Sequence, residues 1–275
     1  MTIVTTADVK PSMLLARNFT ELGRIHTKYV KSVAKNHQLI KMGRGIMKTT
    51  YENIMAPGQG VVSLVDFMGN DLSVVNAARV SFGKRADLLN KKDKVLIKYL
   101  AENRHTSPFE HVTFTFHIKC PLFIARQWHR HRTWSYNEVS RRYTSENIEF
   151  FVPTKLRLQD NTNNFQGSAG LLSEVEAEIL SVSMVNNCKQ SVGLYEEMLD
   201  RGVAREQARM ILPQNMYTEF YATVNLWNLA HFLELRMDEH AQLEIQQYAG
   251  TLYEIAKDVA PISVEALLGK TINKG

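Results

Sequence analysis

Apolar and polar positions change period several times along the chain, and each change marks an element. Val112, Phe114, Phe116 and Ile118 alternate with Thr113, Thr115 and His117. This period of two predicts a strand with one buried face, because successive strand side chains leave on opposite sides. VVSLVDF at 61–67 predicts a second strand after a turn at MAPGQG, residues 55–60. GND at 69–71 supplies a turn and an N-cap for a helix through Ala77, and another helix is expected over 92–103. Pro121 fits the first turn of a helix that would carry Arg126 and Arg130 on one face and end at 135–137. IEFFVP at 148–153 predicts a short strand stopped by Pro153. Beyond a polar loop at 161–170, Leu172, Val175, Ile179, Val182, Val185, Cys188, Val192, Tyr195 and Leu199 recur at helical steps. They predict a long amphipathic helix closed by Gly202. A strand at 216–224 and helices over 226–237 and 240–259 complete the pattern. The class is α+β (α/β) with much helix. Residues 1–56 lack a clear period and are expected to be an extension before a domain over 57–275.

Composition narrows the setting. The 275 residues suffice for a full core, and 44% hydrophobic with 22% charged residues is ordinary for a globular protein. No segment has the apolar length needed to cross a bilayer, and the N-terminus lacks a signal-peptide pattern, so no membrane association is expected. Cys120 and Cys188 are far apart and form no CxxC pair, which fits a reducing cytoplasm. Cys188 falls in the apolar helix stripe, and nothing in the sequence supplies Cys120 with an activating base. The histidines match no HExxH-type spacing, so no metal site is expected. GxGxxG and P-loop patterns are absent.

The net charge of +5 is modest, but residues 126–143, RQWHRHRTWSYNEVSRRY, concentrate five arginines and no lysine. Planar guanidinium groups grip phosphate or carboxylate with two parallel hydrogen bonds. The stretch fits a multiply anionic ligand. It also fits a solvated basic face, or a nucleic-acid patch with Trp128 and Trp134 as stacking partners. Arg209 in ARMILP and Arg236 in LELRMDEH are single cations in apolar surroundings, which are costly unless an anion meets them.

Arg130-His131-Arg132, seven residues, then Ser140 form the pattern RHRx7S. It resembles the signature of the flavin-dependent thymidylate synthases. DLSVVNAARVSF at 71–82, HTSPFEH at 105–111, ILPQNMYTEF at 211–220 and LRMDEHAQLEIQQY at 235–248 resemble further segments of that family, in family order. The resemblance covers roughly residues 60–265.

It implies an α/β fold with a mixed sheet and long helices, and a homotetramer whose sites are built from several subunits. It implies conversion of dUMP to dTMP, with methylenetetrahydrofolate giving the carbon and NADPH reducing a bound FAD. Matched residue by residue, Gln127, Arg130, Glu138, Ser140, Arg141, Arg142, Arg209 and Arg236 would line the dUMP site. Arg236 would be catalytic by favouring ionisation at N3 of the uracil. Ser107, Arg130, His131, Arg132, Glu138, Asn225 and His231 would contact FAD. No cysteine need attack the pyrimidine in this class, and Ser140 would be a substrate contact. A nucleic-acid-binding module built on 126–143 is the rival from another class.

Overall fold

A computed structural model of the chain describes residues 38–42, 46–56, 59–145, 147–160 and 167–272. The alternating segment becomes β4 (Thr113–Pro121), and Phe114, Phe116 and Ile118 are fully buried. Each buried side chain of this size contributes about 1.5–3 kcal/mol. β4 pairs with β8 (Tyr217–Asn225), from Thr113 opposite Asn225 to Pro121 opposite Tyr217. On its other side lie β3 (Gln59–Met68), β2 (Ile46–Ala56) and β1 (Gln38–Met42), while β5 (Ser135–Glu138) closes the edge beyond β8. Among the described residues the sheet has six strands in the order β1-β2-β3-β4-β8-β5.

The α+β class holds, but every ladder is antiparallel, so the sheet is not mixed. The excursions from β3 to β4 and from β5 to β8 return to the end of the sheet that they left, whereas residues 122–134 carry the chain from the end of β4 to the opposite end, where β5 starts, so that β4 and β5 both run antiparallel to β8.

β1 and β2 lie inside the stretch expected to precede the domain; residues 1–37 of that stretch lie outside the described residues. A register shift between Glu52 and Ala56 hides the period of β2. It lets Tyr51 and Ile54, three positions apart, both be buried.

The helices begin where the sequence places their caps. Asn70 and Asn90 each form a capping box, at α1 (Asp71–Arg79) and α2 (Lys91–Glu102). α2 ends in a Schellman motif: the His105 N–H donates to Leu100 O at 2.9 Å and the Arg104 N–H to Ala101 O at 3.2 Å. The left-handed residue of that motif is Arg104, with φ of 54°. A side chain there costs about 1–2 kcal/mol relative to glycine. α3 (Ser107–Glu110) follows.

The chain then closes on itself. α7 (Leu226–Arg236) packs on β8, and α8 (Leu243–Val259) packs on β2 and β3. α9 (Pro261–Ile272) docks on α1 and α2. Buried Asp71 takes the first amides of α9: its carboxylate accepts from Ile262 N at 3.0 Å and from Ser263 N and Oγ at 2.8 and 2.6 Å. Gly60 has φ of 77°, and a Cβ there would collide with the Tyr248 hydroxyl, which donates to Lys119 O at 2.9 Å.

The helix after Pro121 is shorter than expected. α4 (Leu122–Trp128) ends with His129 as its C-cap, so Arg130 lies outside it and shares no helix face with Arg126. The Tyr136 hydroxyl, 3.1 and 3.0 Å from Trp128 O and His131 O, meets the carbonyls that the helix end exposes. Residues 135–137, expected to end the helix, lie in strand β5. The 148–153 strand reduces to one bridge, Phe150 opposite Met216. The polar loop is part of a hairpin, β6 (Arg157–Gln159) with β7 (Ser168–Leu171), and its residues 161–166 lie outside the described residues.

α5 (Glu174–Asp200) runs for 27 residues. Its apolar stripe is only partly core. Tyr195 packs with Ala208, Leu212 and Met216, from α6 (Arg205–Ala208), the 3-10 turn Arg209–Ile211 and the approach to β8. Val175, Ile179 and Val182 stay 68%, 60% and 54% exposed, because no described element covers the first half of that face.

Candidate active site

The RHR segment folds against an aromatic cluster. Trp128, fully buried, meets Phe220, Phe232, Tyr248 and Trp134 edge-on or tilted, with ring centroids 4.9–6.0 Å apart. Such contacts add about 0.5–1.5 kcal/mol each beyond burial. They fix the backbone from which residues 129–132 leave α4. Trp134 is also buried, at 5% exposure, so neither tryptophan offers a face to a nucleic-acid base. That overturns the stacking patch as a reading of this stretch.

Three groups of polar side chains surround this cluster. In the first, Arg236 at the end of α7 donates its Nε–H to His131 Nε2 at 3.1 Å and an Nη2–H to Gln127 O at 3.2 Å. Gln127 in turn donates from Nε2 to Gln242 Oε1 at 2.5 Å. One fork of the guanidinium is thereby held by the protein, and the outer edge, carrying Nη1, remains for a ligand. The acceptor role fixes His131 as the neutral tautomer protonated on Nδ1. Burial lowers the His131 pKa to about 4, aided by the charges of Arg236 and His231. Burial also pushes the Arg236 guanidinium below its usual value. The His131 and His231 rings lie 6.2 Å apart, joining this group to a cavity of about 400 Å3 that His231 lines.

In the second group, Glu138 at the end of β5 accepts from Thr218 Oγ1 at 2.6 Å. Burial pushes the neighbouring Cys120 thiol well up, and the Glu138 charge adds to it. A buried thiol held in its neutral form is a poor nucleophile, in keeping with the sequence. Cys188 is equally internal, with Asn215 Nδ2 3.4 Å from its sulfur.

The third group is the turn after β5. Ser140 Oγ accepts from the Arg142 backbone N–H and from Arg142 Nε, both at 3.3 Å. Arg141 donates to Asn147 O at 3.2 Å, and Arg205 reaches across to Tyr143 O at 3.3 Å. Exposed Arg209 follows α6, the helix that carries Arg205. Arg126, Arg130, Arg132, Arg142, Arg209 and Arg236 form no ion pair among the described residues.

Ser107 and Asn225 lie at the opposite end of β8 from Glu138's neighbour Phe220. Asn225 caps α7, accepting from Asn228 N at 2.9 Å, and Ser107 opens α3. They sit at the other end of α7 from Arg236, with His231 between them in sequence. Within one chain, Glu138 ends β5, Asn225 ends β8 and His231 and Arg236 lie on α7, while Ser107 and Gln127 lie on α3 and α4 and Arg209 in the 3-10 turn after α6. Sequence reasoning missed Gln242, Thr218 and Arg205. Gln242 lies in a segment already matched, but its partner, Gln127, is 115 residues away and only the fold joins them. Among the described residues no group of three His, Cys, Asp or Glu is placed to hold a metal ion.

Arg130 and Arg132 precede β5 and Arg142 follows it, without carboxylate partners among the described residues, beside a histidine that accepts from half-buried Arg236; such a set suits planar, multiply anionic ligands. Comparison with known proteins takes this further. Residues 63–262 match the family described as thymidylate synthase complementing protein. The flavin-dependent thymidylate synthase of Thermosipho africanus is 46% identical over 213 residues, spanning 76% of this chain and 91% of its own. That of Thermus thermophilus is 48% identical over 206 residues, 74% of each chain. The solved structure of the UMP/dUMP methylase PolB from Streptomyces cacaoi, bound with 5-Br dUMP, aligns with a TM-score of 0.70. That alignment has 35% identity and covers 77% of this chain and 95% of PolB. The chain belongs to the flavin-dependent thymidylate synthase family.

Proposed function

We propose that the chain is an FAD-dependent methyltransferase that converts dUMP to dTMP in thymidylate biosynthesis, with methylenetetrahydrofolate as carbon donor and NADPH as reductant. The observation that carries the reading is the Arg236–His131–Gln127 constellation within a family-matched chain. PolB, captured with brominated dUMP and UMP, supports a uridine nucleotide as the substrate.

dUMP brings a dianionic phosphate and a uracil edge that becomes anionic on losing its N3 proton. The exposed Arg130, Arg142 and Arg209, with Ser140 and Arg141 in the turn and Gln127 at the end of α4, are the groups suited to hold it. Arg236, fixed on its inner fork, stabilises the ring anion with its outer edge and so raises electron density at C5. Preorganisation of this kind is worth roughly 10²–10³ in rate. Glu138, anchored by Thr218, orients polar groups at the junction of substrate and cofactor.

The cofactor's diphosphate and fused rings fit Arg130 and Arg132, cations without carboxylate partners among the described residues, and the cavity beside His231. Ser107, His131 and Asn225 complete the set assigned to FAD. When bound, FAD reduced by NADPH supplies the hydride. The protonated Cys120 fits a route without an enzyme thiol.

The exposed stripe of Val175, Ile179 and Val182 on α5 supports a homotetramer. The free cysteines Cys120 and Cys188 support a cytoplasmic location. Among the described residues no helix is long and apolar enough to cross a membrane. The catalytic domain is taken as 57–275, within which the family match at 63–262 falls.

The test is NADPH-dependent formation of dTMP from dUMP by purified protein, with and without methylenetetrahydrofolate. Product only when all three are present is the expected result. Bound FAD without product sinks the reading.

A further inference from the structure

Gln127 stands at the end of α4, and a row of polar side chains leads away from it through the fold. Its Nε2 donates to Gln242 Oε1 at 2.5 Å, and Gln242 is the N-cap of α8. Two carboxamides can bond in either direction, because each carries a donor and an acceptor. The next link removes that freedom. The Gln242 side chain also hydrogen-bonds to the carboxylate of Glu244, in the first turn of α8, and an ionised carboxylate only accepts. Gln242 therefore turns its Nε2 to Glu244 and its Oε1 to Gln127.

Glu244 is buried, and its charge is secured from the far side. Arg157 of β6 donates an Nη2–H to Glu244 Oε2 at 2.8 Å. Burial alone would raise the Glu244 carboxyl. Hydrogen bonds from Arg157, from its own backbone amide and from Gln242 outweigh it and hold the group below its ordinary value. The amino end of α8 favours the same charge. Donors thus run from Gln127 to Gln242 to Glu244, with Arg157 closing the row, and bonds in such a row polarise one another. Residues 30 and 115 or more positions from Gln127 in sequence decide how its amide points.

We propose that Arg157, Glu244 and Gln242 are positioning residues for dUMP: they lock the Gln127 amide in one orientation and leave its Oε1 and second Nε2–H, in fixed places, for the nucleotide. A side chain already fixed loses no rotamer freedom when the ligand arrives. The inference rests on the dUMP reading above and deepens it with three residues that do not belong to the set matched to substrate or cofactor.

The test is a set of dUMP dissociation constants, measured by calorimetry on the full chain with FAD present. Gln242→Met keeps the volume and removes both bonds, and it raises the constant by about five- to tenfold, the scale of one hydrogen bond. Glu244→Gln, which keeps the shape and loses the charge, acts in the same direction. In a Gln127→Met background neither change raises the constant further, because nothing is left to position. FAD affinity, read by flavin fluorescence, stays the same in every variant, which a general loosening of the fold would not allow. Should the α8 variants fold poorly, Arg157 carries the same comparison at a partly exposed position: Arg157→Met weakens dUMP binding, and Arg157→Lys, which keeps a cation toward Glu244, restores it. Unchanged dUMP affinity, a parallel loss of FAD affinity, or losses that add to that of Gln127→Met overturn the proposal while leaving the dUMP reading intact. Absence of dUMP binding by the unaltered protein overturns that reading, and the positioning role with it.

Discussion

His131 is buried at 8% exposure and accepts from Arg236, so a proton on its Nε2 would break that bond and set two cations together. In the unfolded chain an imidazole titrates near 6.5, and in the fold burial, Arg236 and His231 lower it to about 4. The unfolded state therefore binds the proton first as pH falls. The stability is full above about pH 6.5 and is lost progressively down to about pH 4. The shift between those two values corresponds to ~3 kcal/mol if taken whole. Solvent screening near the site edge reduces it to roughly 1–2 kcal/mol. The perturbation is His131→Gln, which keeps an acceptor toward Arg236 but cannot titrate. Urea denaturation of both proteins at pH 7.5 and at pH 4.5 gives the comparison. The unaltered protein should lose about 1–2 kcal/mol more than the variant across that interval. Parallel pH dependence in the two proteins would refute the neutral, accepting role of His131.

Arg236→Ala should lower kcat for dTMP formation by roughly 10²–10³ while leaving the flavin spectrum and melting temperature near normal, since a preorganised cation acts on the developing charge; normal turnover refutes its role. Cys120→Ala should retain turnover within a few-fold and cost about 1 kcal/mol through its small cavity, measured by denaturation; total loss of activity with the fold intact reopens thiol chemistry. Asp71→Ala should cost about 2–4 kcal/mol, because the Ile262 and Ser263 amides lose their acceptor. A change below 0.5 kcal/mol, which is ordinary for a surface position, would show that water serves α9 equally well.

Local signals were legible and long-range ones were not. The alternation around Phe116 gave β4 with its buried face, and the GND turn gave the start of α1, because a period or a cap acts within a few residues. β2 was hidden by its own bulge, which replaces a spacing of two by the spacing of three between Tyr51 and Ile54. α4 was read too long because the carbonyl-capping Tyr136 hydroxyl comes from a later strand. In α5 the period was right but its meaning differed, since Val175 and Ile179 face outward in the single chain. At the site, residue types in the RHR segment and at Arg236 pointed to an anion. Their pairing, His131 with Arg236 across 105 positions, is a product of the fold.

The clasp between Asp71 and the start of α9 joins residues 192 positions apart. During synthesis Asp71 leaves the ribosome long before its partner exists. α1 and β3 can form, but the carboxylate that later sits at 3% exposure has no amides to receive until Ser263 emerges. The helical layer is therefore closed only once Pro261–Ile272 is in place. A message cut short near residue 260 would yield a sheet with its key helix contacts unmade, exposed to proteases and to aggregation. The arrangement makes closure conditional on the far segment: only a chain that extends through Ser263 can shut the fold.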